Sequence, residues 1–246
     1  MNADHAVQLR LLDLQAADTV LAQLAHRRTN LPELAAIAER GKHGVDLHND
    51  AIDAETRLAD IAEDQRRLEN EVDTVRSRQA RDEQRLQSGG LPAKELEGLQ
   101  HELVSLKRRQ ATLEDELLEI MEVREDADSS VAEIGAKRAA LAAELAELEA
   151  ARDAAFEEID AAVALRRAER DSIVAEIPAD LLALYERARE HGGGVGAAML
   201  RHRRCEGCHI ELSGSELTAV RSAAPDAVVR CEECRRILVR TAESGL

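Results

Sequence analysis

Two long runs of apolar residues at alternating three- and four-residue spacing, with a single glycine-proline break between them, constrain this chain more than any other feature. The first runs Leu47, Ala51, Ala54, Leu58, Ile61, then polar Gln65, then Leu68, Val72 and Val75, and keeps its register through Gln79 and Asp82 to Leu86. The second is Leu96, Leu99, Leu103, Leu106, Gln110, Leu113, Leu117 and Ile120. It passes over Arg124 and resumes at Ala127, Val131, Ile134, Leu141, Leu145 and Leu148. An apolar stripe of this period with charged flanks is the seam of a coiled coil. Between the runs stands Ser88-Gly89-Gly90-Leu91-Pro92. Glycines suit the end of a helix and proline the first turn of the next. About 83 residues lie on each side, from His5 to Gln87 and from Pro92 to Val174. The spacing therefore predicts an antiparallel hairpin folded at this turn. A parallel dimer would instead place Gly89, Gly90 and Pro92 inside a continuous rod, against their chemistry. At about 1.5 Å per residue an unbroken arm could reach roughly 125 Å, so an elongated particle is expected.

The composition agrees. One Phe, one Tyr and no Trp in 246 residues leave little of the ring area that fills an ordinary globular core. Ala, Leu, Glu and Arg dominate, as in long helices. The first arm is uneven. Thr29-Asn30-Leu31-Pro32-Glu33 reads as a break and restart with Thr29 or Asn30 as cap, and Gly41 and Gly44 weaken the helix that follows. The polar seam positions Gln65, Gln79 and Asp82 are read as fixing register, and His43, His48 and His101 as solvated surface. After the second arm Ile177-Pro178 ends the helix. Asp180 can cap a short helix over 181–190 with Leu181, Leu184, Tyr185 and Ala188 on one face. Tyr185 reads as a packing residue at the joint, and His191-Gly192-Gly193-Gly194 as a flexible linker. The expected organisation is a coiled-coil hairpin over 1–176 with its tip near 88–92, a short helix and glycine linker over 177–194, and a zinc ribbon over 195–246. The fold class is mainly α.

The ribbon rests on the cysteines. Cys205, Cys208, Cys231 and Cys234 are the only four, arranged as Cys-x-x-Cys, 22 residues, Cys-x-x-Cys. Two residues between ligands let one tight turn aim both thiolates at one ion, and two such turns make a closed tetrahedral site. Two disulfides would suit a secreted chain, but the N-terminus has no apolar signal region. A redox dithiol would sit in a βαβ context that this pattern lacks. The expected cofactor is one structural Zn2+ per chain. Val228–Arg230 and Ile237–Arg240 read as short strands, and Ser213-Gly214-Ser215-Glu216 as the capped start of a helical turn.

The net charge is −16, but Gly192–Leu246 holds eight Arg, no Lys and seven acidic residues, so the remainder carries −17. Long acidic arms repel nucleic acid. Arg201, Arg203, Arg204, Arg230, Arg235, Arg236 and Arg240 crowd the knuckles. They read either as a phosphate-contacting patch, with Arg201, Arg203, Arg204, Arg235 and Arg236 as its members, or as compensation for the zinc-thiolate charge and its neighbouring glutamates. No aromatic residue lies on the ribbon to stack a base. Any DNA or RNA binding is thus expected to be weak and sequence-tolerant.

The order of features resembles a bacterial family of coiled-coil proteins with a C-terminal four-cysteine zinc ribbon, which includes a flagellar chaperone-like protein of epsilonproteobacteria. The matching residues are Pro92-Ala93-Lys94-Glu95-Leu96-Glu97-Gly98-Leu99-Gln100-His101-Glu102-Leu103 after the turn and Leu184-Tyr185-Glu186-Arg187 before the ribbon. Within the ribbon they are Cys205-x-x-Cys208-His209 and Cys231-x-x-Cys234-Arg235-Arg236-Ile237-Leu238. The resemblance spans essentially the whole chain and implies a hairpin, a ribbon and interaction roles, with protein and RNA partners in some members. No nucleophile-base pair, open metal site or phosphate loop is legible, so an enzyme and a small-molecule substrate are not expected. No stretch has the apolar length of a membrane span, and a cytoplasmic location is expected. The functional expectation is a non-enzymatic adaptor, docking protein partners through the rod and protein or nucleic acid through the ribbon. The competing expectation is a transcription-type regulator that inserts its hairpin tip into a larger machine.

Overall fold

The computed structural model describes residues 1–246. It is mainly helical: α1 (His5–Thr29), α2 (Pro32–Ser88), α3 (Ala93–Ala175), α4 (Ala179–His191) and α5 (Gly214–Ser222). Four short strands accompany them: β1 (Ala197–Arg201), β2 (Arg204–Cys205), β3 (Val229–Arg230) and β4 (Ile237–Val239). The chain divides into two compact units, one of residues 35–149 and one of residues 1–34 with 150–246.

The first unit is the antiparallel helical hairpin that the heptads anticipate. Leu47, Ala51 and Val72 of α2 and Leu99, Leu103, Leu113, Ala127 and Leu141 of α3 are its buried seam residues. The tip turns because Gly89 and Gly90 take φ of +70° and +81°, backbone that a side chain disfavours. The Pro92 carbonyl then accepts from the Glu95 and Leu96 N–H groups in the first turn of α3. Register is marked by cross-helix ion pairs: Arg40 with Glu144 at 2.9 Å, Arg76 with Glu114 at 2.7 Å and Arg109 with Glu71 at 3.1 Å. All are solvent-exposed, so each adds little stability. Gly41 and Gly44 do not interrupt α2, since neighbouring helix formers and the packed seam outweigh their backbone cost.

The second unit joins α1, the end of α3, α4 and the strands around one core. Leu11 and Leu14 of α1 meet Ile173, Ile177, Leu181 and Tyr185, and on the strands Ala197, Ile237 and Val239. The break at Asn30 is real. Asn30 closes α1, its side-chain amide donating to the His26 carbonyl at 2.8 Å. The sheet order is β2-β1-β4-β3, with β1 parallel to β4 and the other pairs antiparallel. Residues 1–3 extend its edge: the Ala3 N–H donates to the Asp226 carbonyl at 2.8 Å and the Val228 N–H to the Met1 carbonyl at 3.1 Å.

Two expectations are corrected here. Residues 192–194 are not a loose linker. The Gly194 carbonyl accepts from Gln15 Nε2 at 3.1 Å, the Gly196 N–H donates to Gln15 Oε1 at 2.7 Å, and the Gly192 carbonyl accepts from Arg236. Gly193 and Gly194 take left-handed backbone, with φ of +64° and +93°, whereas Gly192 and Gly196 are there for space. A Cβ on Gly192 would lie 2.3 Å from the Val195 carbonyl oxygen, and one on Gly196 would lie 2.6 Å from that of Tyr185. Likewise α1 is not merely the start of a rod arm. Its buried stripe serves the core shared with α4 and the strands.

Candidate metal centre

Each knuckle is a small closed turn built by its own backbone. In the first, the His209 N–H donates to the Cys205 carbonyl at 2.7 Å. In the second, the Arg235 N–H donates to the Cys231 carbonyl at 3.0 Å. The residue after each second cysteine is left-handed, with φ of +59° at His209 and +63° at Arg235. Both positions would favour glycine, yet both carry long polar side chains. Ser213 caps α5 through a reciprocal box with Glu216, as its sequence suggests. Leu200, Leu212, Val220 and Leu238 form the apolar bed on which the buried Cys205 and Cys231 rest.

The four Sγ atoms lie within 4.8 Å of one another. Cys205 and Cys234 are 3.8 Å apart, and Cys208 and Cys231 are 3.9 Å apart. A tetrahedron of thiolates at about 2.3 Å from zinc has edges of roughly 3.8 Å. Donor type, number and spacing therefore fit one Zn2+ with no position left for a substrate. The thiols themselves ask for a cation. Burial pushes Cys205 well above the usual thiol range and Cys231 up to about 11. Burial also acts on Cys234, but hydrogen bonds led by the Arg236 backbone N–H prevail and bring it down to about 7. Metal-bound thiolates are deprotonated outright, so the ion supplies what the apolar bed withholds.

The arginines do not form one free patch. Arg236 is spent on the main chain, donating to the carbonyls of Val195 at 3.1 Å, Gly207 at 2.9 Å and Gly192. Arg240 gathers the carbonyls of Val220, Ala223, Ala224, Pro225 and Ala227. Arg230 donates to the Arg235 carbonyl, Arg204 to that of His209 and Arg203 to that of Gly245, while Arg201 pairs with Glu243. Arg235 is exposed and forms no such bond. The expected grouping of Arg236 with the phosphate-facing residues is therefore corrected: its guanidinium is a structural brace.

A polar cluster that the sequence did not disclose joins α1, α3 and α4. Tyr185, fully buried, donates its hydroxyl to Asp18 at 2.7 Å. Arg170 reaches the other Asp18 oxygen at 2.6 Å and also holds Glu186 at 2.5 Å, while Arg189 completes the group at 2.9 Å from Glu186. Burial, then Asp18, hold the Tyr185 phenol protonated far above its ordinary range. The only sequence trace is polar Gln8, Gln15 and Asp18 falling on the same helical stripe as Leu11 and Leu14.

Residues 14–193 match the model of the CT398-like coiled coil hairpin domain, and residues 204–238 match a C4-type zinc ribbon domain. The chain belongs to the CT398-like hairpin family. Its relatives include an uncharacterised protein of Mycobacterium tuberculosis, 43% identical over 244 residues that cover 98% of both chains. A solved structure from Mycobacterium smegmatis is 38% identical, with a TM-score of 0.87 over 98% of this chain and 100% of that one. The structure of CT398 from Chlamydia trachomatis is only 18% identical, yet shares the fold with a TM-score of 0.69 over 96% and 98% of the two chains. The matched hairpin and C4-type ribbon agree with this geometry, whose four cysteines are placed for a single structural zinc. No helix of the chain is long and apolar enough to cross a membrane.

Proposed function

We propose that this protein is a non-enzymatic, cytoplasmic adaptor whose hairpin docks a protein partner and whose zinc ribbon docks protein or nucleic acid. The observation that carries the reading is the closed metal centre. Four thiolates fill a tetrahedral ion, so the zinc supports a shape and takes no part in substrate chemistry. What remains for function is helical surface. On α3 that surface includes Leu118 and Met121, 60% and 42% exposed, outside the hairpin seam. Apolar side chains grouped on an otherwise charged helix favour a protein partner.

The test is affinity capture from native cytoplasm with the full chain, with and without nuclease, beside a Leu118→Glu/Met121→Glu variant. The reading expects nuclease-resistant capture of a defined protein that the variant loses. Capture that vanishes on nuclease treatment and is unchanged in the variant would replace the protein-docking role with a nucleic-acid one.

A further inference from the structure

The ribbon and the helical base share more than a boundary. The β1–β4 pair is a wall with a core on each side. Ile237 and Val239 face Leu11, Leu14 and Tyr185, while Leu238 between them faces the bed of Cys205 and Cys231. Alternation along a strand makes this two-sided arrangement automatic. Beside the wall runs a hydrogen-bonded relay. Arg236 grips the first knuckle at the Gly207 carbonyl and the turn at the Gly192 and Val195 carbonyls, and its own carbonyl accepts from the Cys231 N–H at 3.0 Å. Gly207 leaves room for it: a Cβ there would sit 2.6 Å from the Arg236 Cδ. On the far side of the same turn Gln15 of α1 takes the Gly196 N–H and gives to the Gly194 carbonyl, while its Oε1 accepts from Tyr185 at 3.2 Å. One residue thus ties the turn to both knuckles, through its side chain to the first and its carbonyl to the second, and the Gln15 side chain ties the turn to α1.

We propose that zinc occupancy and the docking of α1 are coupled through Arg236, the 192–196 turn and Gln15, so that zinc loading sets whether α1 is locked onto the base. The knuckles hold Arg236 in place only while the ion holds the knuckles. Without the ion the turn loses its brace, and Gln15 loses the fixed carbonyl and N–H that it bridges. Release of α1 would uncover Leu11, Leu14 and Tyr185, a large apolar face. The chain would then report its zinc state as a change in exposed surface. This inference stands on the metal centre and is independent of the docking role proposed above.

Coupling is reciprocal: the factor by which zinc favours docked α1 is the factor by which docked α1 favours zinc, so weakening the α1 latch must weaken zinc. The experiment uses the full chain, reduced, zinc-loaded or stripped by a chelator, and reads amide hydrogen exchange and zinc affinity by chelator competition. On stripping, exchange in α1 should rise about tenfold or more, while the 40–80 segment of α2 stays unchanged. Gln15→Ala, which touches no ligand, should weaken zinc by about fivefold or more. Arg40→Ala removes an α2–α3 ion pair with Glu144 that involves neither α1 nor the turn and should leave zinc affinity as in the parent. Arg236→Lys, which keeps the charge but not the three-carbonyl reach, should loosen α1 even with zinc bound. Should that variant fail to fold, the Gln15 and Arg40 pair still decides. Unchanged α1 exchange on stripping, or equal zinc affinity in the Gln15 and Arg40 variants, would overturn the proposal.

Discussion

Arg124 donates to Gln65 across the hairpin seam at 3.0 Å, so the first cation in the second apolar run and the first polar residue in the other meet each other. Two interruptions that look independent in the sequence form a single polar layer. A layer of this kind has a match only when the helices are in one register, which is the specificity that buried polar residues lend coiled coils. Arg124 is 44% exposed at its side chain, so its stake in stability is small and its stake in alignment is larger.

A double-mutant cycle on Gln65→Leu and Arg124→Leu should therefore give a coupling of about 0.5–1 kcal/mol by denaturant unfolding. The double variant should be at least as stable as the parent, because both polar partners leave together. Strict additivity would remove the pair from the account.

Closer to the tip, Gln79 Nε2 and Asp82 Oδ2 are buried without a hydrogen-bond partner. Replacing Asp82 by Leu should stabilise the hairpin by about 1–3 kcal/mol, the usual cost of an unsatisfied buried polar group. A lower unfolding midpoint in the variant would show that the carboxylate is satisfied in solution.

The glycines separate into two kinds. Gly98 and Gly135 lie in α3 with open space where a Cβ would go, so alanine at either should stabilise by about 0.5–1 kcal/mol. Gly196→Ala should instead cost about 1–3 kcal/mol, because the new Cβ would sit 2.8 Å from the Tyr185 ring as well as near its carbonyl. Thermal unfolding of the three variants checks both signs at once.

The two neighbouring arginines after Cys234 should behave oppositely. Arg236→Ala removes the donor to three carbonyls and should destabilise the ribbon by about 2–3 kcal/mol. Arg235→Ala should change stability by less than about 0.5 kcal/mol. If the ribbon touches phosphates, Arg203, Arg204 and Arg235 replaced together by Ala should abolish a weak, steeply salt-dependent binding while leaving zinc content intact. Retained binding in that variant would show that these arginines do not carry it, and no binding by the parent at low salt would leave protein as the ribbon's only docking partner.

What could be read in advance follows from distance along the chain. The seam, the Gly89-Gly90 turn, the cysteine pairs and the Ser213 cap are patterns completed within a few residues, and each is present as spaced. The Gln65–Arg124 layer was legible as two blemishes but not as a pair, because nothing in either run states the facing register. Asp18 with Arg170 and Tyr185, and Gln15 with the 194–196 turn, join residues more than 150 positions apart. Three glycines in a row carry no local sign of whether they swing freely or form a fixed turn, in which Gly192 leaves room for Arg236 and the next two take left-handed backbone. Strand β1 was missed for the same reason. Ala197–Arg201 has a weak pattern of its own and is held by its neighbours β4 and β2.

The most direct test is the metal stoichiometry of the intact chain by native mass spectrometry, purified reduced and with zinc present. One zinc per chain is expected in the parent and none in a Cys205→Ser/Cys231→Ser variant, since these two sulfurs sit at the buried base of the centre. A parent without zinc, or a double variant that still holds one, would contradict the four-thiolate centre on which the rest depends.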